Sequence, residues 1–218
     1  MNLSALPRGI PVTLSLIVLN ALAFLAQQAT RGDVDQWGVL FGPAVEAGQW
    51  WRLLSSGFLH GSLFHIGFNM FLLYALGSQL ERGIGSARFA LLYFGALFGG
   101  ALTVMMFDWD QPTLGASGAV LGIAGGFAVA LWAQGNDPRQ SPIFGLVLLN
   151  LGLPLLIPGI SFWGHFGGVA AGALMAGLLI WWPTKNSNAS KRMTLLNGTG
   201  AMALLAFCSV MAARLGSG

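Results

Sequence analysis

Apolar runs about twenty residues long alternate along this chain with short polar breaks. Cutting at each charge, proline or polar cluster leaves seven spans, at roughly 10–28, 62–80, 89–107, 116–134, 142–158, 162–182 and 195–214. Each comes near the ~20 residues that a helix needs to cross the hydrocarbon core of a bilayer. The fifth is short and carries Pro154 and Pro158. No internal repeat, low-complexity tail or soluble segment separates the spans. The pattern therefore predicts an all-α fold, a polytopic membrane helical bundle of seven transmembrane helices, with 1–218 forming a single membrane-embedded domain.

Composition agrees with the pattern. Of 218 residues, 55% are hydrophobic and 8% charged, and the mean hydropathy is +0.71; a soluble domain carries about a quarter charged residues. Where the charges fall is more telling than their sum. With the N-terminus inside, Arg8, Arg82, Arg88, Arg139, Lys185, Lys191 and Arg192 lie on the inner side, and Arg31, Arg52 and Arg214 on the outer side. The excess of inner positive charge sets the N-terminus in the cytoplasm and the C-terminus outside, in a cell (inner) membrane. These basic residues read as topology determinants, so nucleic acid is not an expected partner. The single Cys208 lies in the last span and excludes an internal disulfide. The first span lacks a persuasive cleavage site and is not read as a removable signal.

On this map the start of the fourth span faces outward, with Ser117 about one helical turn below the surface. His60 and His65 flank the outer entrance to the second span, Asn69 lies one turn below His65 on the same face, and His165 is near the outer end of the sixth span. Ser117, His65, Asn69 and His165 thus come from three separate helices to one depth, and polar groups inside a membrane mark function by default. Glycines give a second argument. Gly118, Gly122 and Gly126 form one small-residue stripe, and Gly164, Gly168 and Gly172 another. Such stripes let backbones approach closely. If the two face each other, Ser117 and His165 come within hydrogen-bonding reach.

A serine hydroxyl becomes a useful nucleophile when a base takes its proton, a task that neutral imidazole suits near pH 7. A third group often orients the histidine. Asp33, Asp35, Glu46, Asp108 and Asp110 fall in outer loops, and Glu81 and Asp137 on the inner side, so none is expected beside His165. The expectation is a Ser–His dyad. The Asn69 amide, a His65 N–H and the Ser117 backbone N–H are candidate oxyanion donors. His60, nine residues before Asn69, would turn to the opposite face of a continuous helix and is read as structural. No Cys or carboxylate accompanies the histidines at ligand spacing, so neither a metal nor another cofactor is expected.

These residues resemble the motifs of the rhomboid intramembrane serine proteases. "GASG" at 115–118 is similar to their GxSG motif, "HGSLFHIGFN" at 60–69 to H-x4-H-x3-N, and "GHFGGVAAG" at 164–172 to the sixth-helix motif. "WR" at 51–52 and Glu81-Arg82 at the end of the second helix also fit. The resemblance implies a six-helix core, about 10–182, with an extra C-terminal helix at about 195–214. It implies Ser117 as nucleophile and His165 as general base, with His65, Asn69 and the Ser117 backbone lining the oxyanion hole. His60, Gly115, Gly118, Gly164, Gly168, Arg52 and Glu81 become structural residues near the site. The loop 29–61 would lie partly in the membrane, with Trp50, Trp51 and Arg52 at the interface. Substrates would be transmembrane helices of other proteins, cleaved near their outer ends where a helix unwinds, and the partners are those substrates and the lipid bilayer. The proline-bearing fifth span would be a mobile element admitting substrate sideways.

The chain departs from the family at two places. Leu121 replaces an aromatic residue one turn after the serine, which leaves open what orients His165, and Gly164 replaces an alanine. Two other classes compete: a rhomboid-like protein that binds or escorts membrane helices without cleaving them, and a transporter, which the lack of intramembrane charge disfavours.

Overall fold

The computed structural model describes residues 9–30, 32–186 and 188–216; Arg8 and Arg31, used above to orient the chain, lie outside them. Helix α1 covers Pro11–Ala29. Three short helices follow within one loop: α2 (Asp33–Gly38), α3 (Gly42–Glu46) and α4 (Arg52–Ser55). Then come α5 (Leu63–Ile84), α6 (Ser86–Phe107), α7 (Ser117–Ala133), α8 (Pro142–Gly152), α9 (Phe162–Lys185) and α10 (Lys191–Leu215). No strand occurs among the described residues; a single antiparallel bridge joins Leu40 to Thr113.

Every expected span is a helix in the expected order. Five of them, α1, α5, α6, α9 and α10, are long and apolar enough to cross a membrane. The other two are shorter: α7 has 17 residues and α8 has 11. The first follows the expected 116–134 to within one residue at each end, whereas the second, expected to reach 158, stops at Gly152, two residues before the proline at 154.

Helix α1 is amphipathic in the sense a membrane requires. Thr13, Leu16, Asn20 and Gln27 are buried against the bundle, whereas Leu14, Val18, Leu22 and Leu25 face outward. At its N-terminus, where backbone N–H groups lack helical partners, the buried Glu81 carboxylate accepts from Val12 N–H (3.0 Å), Thr13 N–H (2.8 Å) and the Thr13 hydroxyl (2.7 Å). Negative charge at that end also suits the helix dipole. Ser86 adds a fourth donor at 2.6 Å. Glu81 is thus structural but far from the site: sixteen residues of helix, roughly 24 Å, separate it from His65.

In lipid, apolar area gains nothing by leaving its surroundings for another helix, so close packing and hydrogen bonds hold a bundle together. The two glycine stripes do face each other. A Cβ on Gly168 would collide with the Gly118 backbone, one on Gly172 with Gly122, and one on Gly118 would stand 2.8 Å from the Gly164 carbonyl. Helix α6 contributes a third small-residue face, in which Gly99 meets Ala171 and Gly100 meets Gly164. Helix α9 is therefore wedged between α6 and α7. Leu73, Phe89, Leu92, Tyr93, Ile123 and Met175 fill the centre of the bundle.

A second apolar cluster of Leu40, Val45, Leu53, Ala101, Val104, Met105 and Ala213 seats the α2–α4 loop on α6 and α10. Arg52 organises that loop from within. It is only 5% exposed, and its guanidinium donates to Val39 O (2.8 Å), Gln36 O (2.5 Å) and the Gln49 side chain (2.7 Å). Three acceptors draw the Arg52 cation into the loop, while Trp50 and Trp51 remain exposed.

Candidate active site

Ser117 is the first residue of α7, so its backbone N–H has no acceptor one turn earlier in the helix. The approach to it needs glycine at 115. Gly115 has φ +127°, a region that side chains disfavour, and its N–H donates to Ser56 O at 2.9 Å. A Cβ there would stand 2.9 Å from His65 Cε1 and 3.6 Å from Ser117 Oγ. The bare glycine thus leaves ring and hydroxyl bordering one small space.

His165 lies in the first turn of α9 and is 6% exposed. Ser161 caps that helix: its Oγ accepts from Gly164 N–H (3.1 Å) and donates to the Asp108 carboxylate (2.8 Å). Thr103 of α6 fixes the same turn by donating to Trp163 O at 2.6 Å. The imidazole then spans two partners. Its Nε2 is 2.9 Å from Ser117 Oγ, and its Nδ1 is 3.0 Å from the backbone carbonyl oxygen of Asn150 in α8. A carbonyl only accepts, so Nδ1 carries the proton and Nε2 presents its lone pair to the serine hydroxyl. This is the tautomer a base needs. It also answers what orients His165: a main-chain oxygen from the fifth span takes the place of a carboxylate or an aromatic neighbour, and Leu121 is simply buried.

His65 lies in the first turn of α5, its N–H donating to the capping Ser62 Oγ at 3.1 Å. Asn69 is buried one turn on, and its amide gives one proton to His65 O at 3.1 Å, leaving the second. Among the described residues neither side chain hydrogen-bonds Ser117.

His60 lies in the loop that leads to α5, because Ser62 caps the helix after it, and its ring is not turned away from the His65 side. Gln27 of α1 clamps its backbone, accepting from His60 N–H (3.0 Å) and donating to His60 O (3.3 Å). Its ring packs edge-on against His65 with centroids 5.0 Å apart. Burial, and to a lesser degree the nearby His65, push the His60 pKa down to about 4 against the opposing Phe58 carbonyl.

Sequence reasoning missed three residues that set this geometry. Asn150 acts through its main chain, so its side chain carries no signal. Gln27 looked like the polar end of a span. Ser161 was legible in principle, as a serine three residues before Gly164 at a helix start. No group of three or more His, Cys, Asp or Glu side chains among the described residues is placed to hold a metal ion.

Comparison with known proteins points one way. A rhomboid domain model matches residues 47–182. RHOMBOID-like protein 4 of Arabidopsis thaliana is 37% identical over 141 residues, covering 62% of this chain and 36% of that protein. Rhomboid protease GluP of Bacillus subtilis is 32% identical over 171 residues, 75% of this chain and 34% of GluP. The chain thus spans about a third of the length of these two relatives. Putative rhomboid protease YdcA, also of Bacillus subtilis, is closer in size: 26% identical over 186 residues, with 82% of this chain and 94% of YdcA aligned.

Proposed function

This chain belongs to the rhomboid family, a family of multi-pass helical membrane proteins, and from that premise we propose that it is an intramembrane serine endopeptidase acting through Ser117 and His165. The observation that carries the reading is the bonded series Ser117 Oγ, His165 Nε2, His165 Nδ1, Asn150 O, with both contacts at or under 3.0 Å. As a scissile carbonyl approaches, Nε2 takes the hydroxyl proton and Oγ attacks carbon. The negative charge moves to the carbonyl oxygen, which the Ser117 N–H, the free Asn69 amide proton and a His65 N–H would meet; each such donor is worth about 3–4 kcal/mol of barrier. His165 then returns the proton to the leaving amine. Water, deprotonated by the same nitrogen, releases the acyl group and restores the serine.

In this reading residues 1–218 act as one membrane-embedded unit. The N-terminus is cytoplasmic in the cell (inner) membrane, and the site opens to the extracytoplasmic side. The substrates are transmembrane helices of other proteins. Backbone carbonyls of an intact helix are already hydrogen-bonded and shielded, so cleavage falls where the helix unwinds. Labelling purified protein with a fluorophosphonate tests the assignment. Wild type is expected to label, and Ser117→Ala and His165→Ala to lose the label while keeping the thermal transition. A well-folded wild type that does not label would instead be a helix-binding, non-cleaving member of the family.

A further inference from the structure

In a regular α-helix the carbonyl of residue i accepts the N–H of residue i+4. For Asn150 that donor position is Pro154, which has no N–H. One step earlier the ladder is intact, since Leu153 N–H donates to Leu149 O. Beyond the proline the chain tightens into a 3₁₀ turn over Leu153–Leu155, with Leu156 and Ile157 both donating to Leu153 O at 2.9 Å. The carbonyl orphaned by the proline is the one that lies 3.0 Å from His165 Nδ1. We infer that Pro154 is a positioning residue: it strips Asn150 O of its helical donor and so reserves that oxygen for His165.

Two deficits cancel here. A carbonyl without a donor is costly where no water reaches it, and an imidazole that must serve as base needs an acceptor at its other nitrogen. The pyrrolidine ring adds to the effect by crowding the carbonyl four residues back, which turns it off the helix axis. The Asn150 side chain is engaged elsewhere, its amide donating to Leu146 O at 2.9 Å. The part of Asn150 that matters is therefore one that substitution of its side chain cannot remove. The orienting group also belongs to α8 while His165 belongs to α9, so the tautomer of the base depends on these two helices remaining in register.

As a statement about catalysis this rests on the protease reading above, so its test has a readout that needs no turnover. The chain has three histidines, and ¹⁵N labelling of them in lipid nanodiscs, with His165→Asn to assign the signal, reports which ring nitrogen carries the proton. Wild type is expected to show the Nδ1–H form at His165; a predominant Nε2–H form overturns the inference without any variant. Pro154→Ala supplies the missing N–H and should draw Asn150 O back into the helix. It is expected to shift the His165 signals toward a tautomer mixture. The limiting rate of fluorophosphonate labelling should fall roughly 10- to 100-fold, with half-saturation within about twofold, as for a misplaced but intact catalytic group. Pro158→Ala, which leaves the Asn150 carbonyl without a helical donor, should stay within about twofold of wild type in that rate. Unchanged histidine shifts and labelling rate in Pro154→Ala overturn the inference. An unlabelled wild type overturns the protease reading, and the nitrogen shifts still decide this one.

Discussion

Trp109 donates its indole N–H to the carbonyl of Ala213 at 2.8 Å, which ties the loop leading to Ser117 to the final turns of α10. The Trp109 carbonyl in turn accepts from Gly42 N–H at 2.9 Å. One residue thus joins three parts of the chain: the α2–α4 loop, the segment before the serine and the last helix. Trp109→Phe keeps a ring and removes the donor. It is expected to lower stability by about 1 kcal/mol, the typical value of one such bond, read as a drop of roughly 2–4 °C in the melting temperature in detergent. An unchanged transition would mean that the contact holds nothing together.

Gly115 accepts a side chain poorly. Its φ of +127° strains any L-residue, and a methyl group would press on the His65 ring. Gly115→Ala should cost about 1–3 kcal/mol of stability and reduce labelling of Ser117 by roughly 100-fold, since the strained backbone leads directly into the serine and the His65 ring beside it must shift. Wild-type labelling would show that the loop relaxes without moving either group.

Arg52 makes three hydrogen bonds inside the α2–α4 loop. Removing them in Arg52→Ala is expected to cost about 3 kcal/mol, because bonds from a charged donor exceed neutral ones and the carbonyls are left unmet. Arg52→Lys should recover little of this, as one ammonium cannot reproduce a planar fork aimed at Gln36 and Val39. Equilibrium unfolding of the three proteins measures the difference, and full recovery by lysine would refute the geometric account.

His60 gives the fold an acid limit. Its pKa is about 4 when folded against an ordinary 6.5. Below pH 6.5 the unfolded chain therefore takes up a proton that the folded chain refuses until about pH 4. The stability present above pH 6.5 is lost across that window, by up to about 3 kcal/mol. Melting temperatures measured from pH 7.5 to pH 4 should fall, and His60→Leu should flatten the slope. An equal slope in the variant would assign the acid sensitivity to other groups.

Much of this architecture was legible because lipid imposes a simple grammar. Runs of apolar residues had to be helices, and the glycine stripes of α7 and α9 had to mark a close approach, which put Ser117 beside His165. Irregular elements resisted the same reasoning. Arg52 could not be read as buried, since its acceptors are main-chain oxygens that any sequence possesses. His60 is legible as a residue of the loop before the second span, but its packing against His65 is not, since that depends on where Ser62 turns the chain. The early end of α8 escaped too, because hydropathy measures how apolar a segment is and says nothing of where its backbone stops being helical.

The brevity of α7 has a consequence for how lipid is kept out. At 1.5 Å per residue its 17 residues advance about 26 Å, less than the ~30 Å of hydrocarbon. On the proposed placement the chain at 108–116 leads down to the start of α7, and amides there need protein partners wherever water does not reach. The bridge between Leu40 and Thr113, the bond from Gly42 to Trp109 O and the bond from Gly115 to Ser56 O give part of that segment protein partners. The small helices between α1 and α5 thereby supply partners to the peptide that leads into Ser117, which on the proposed function is how a hydroxyl is held steady below the membrane surface.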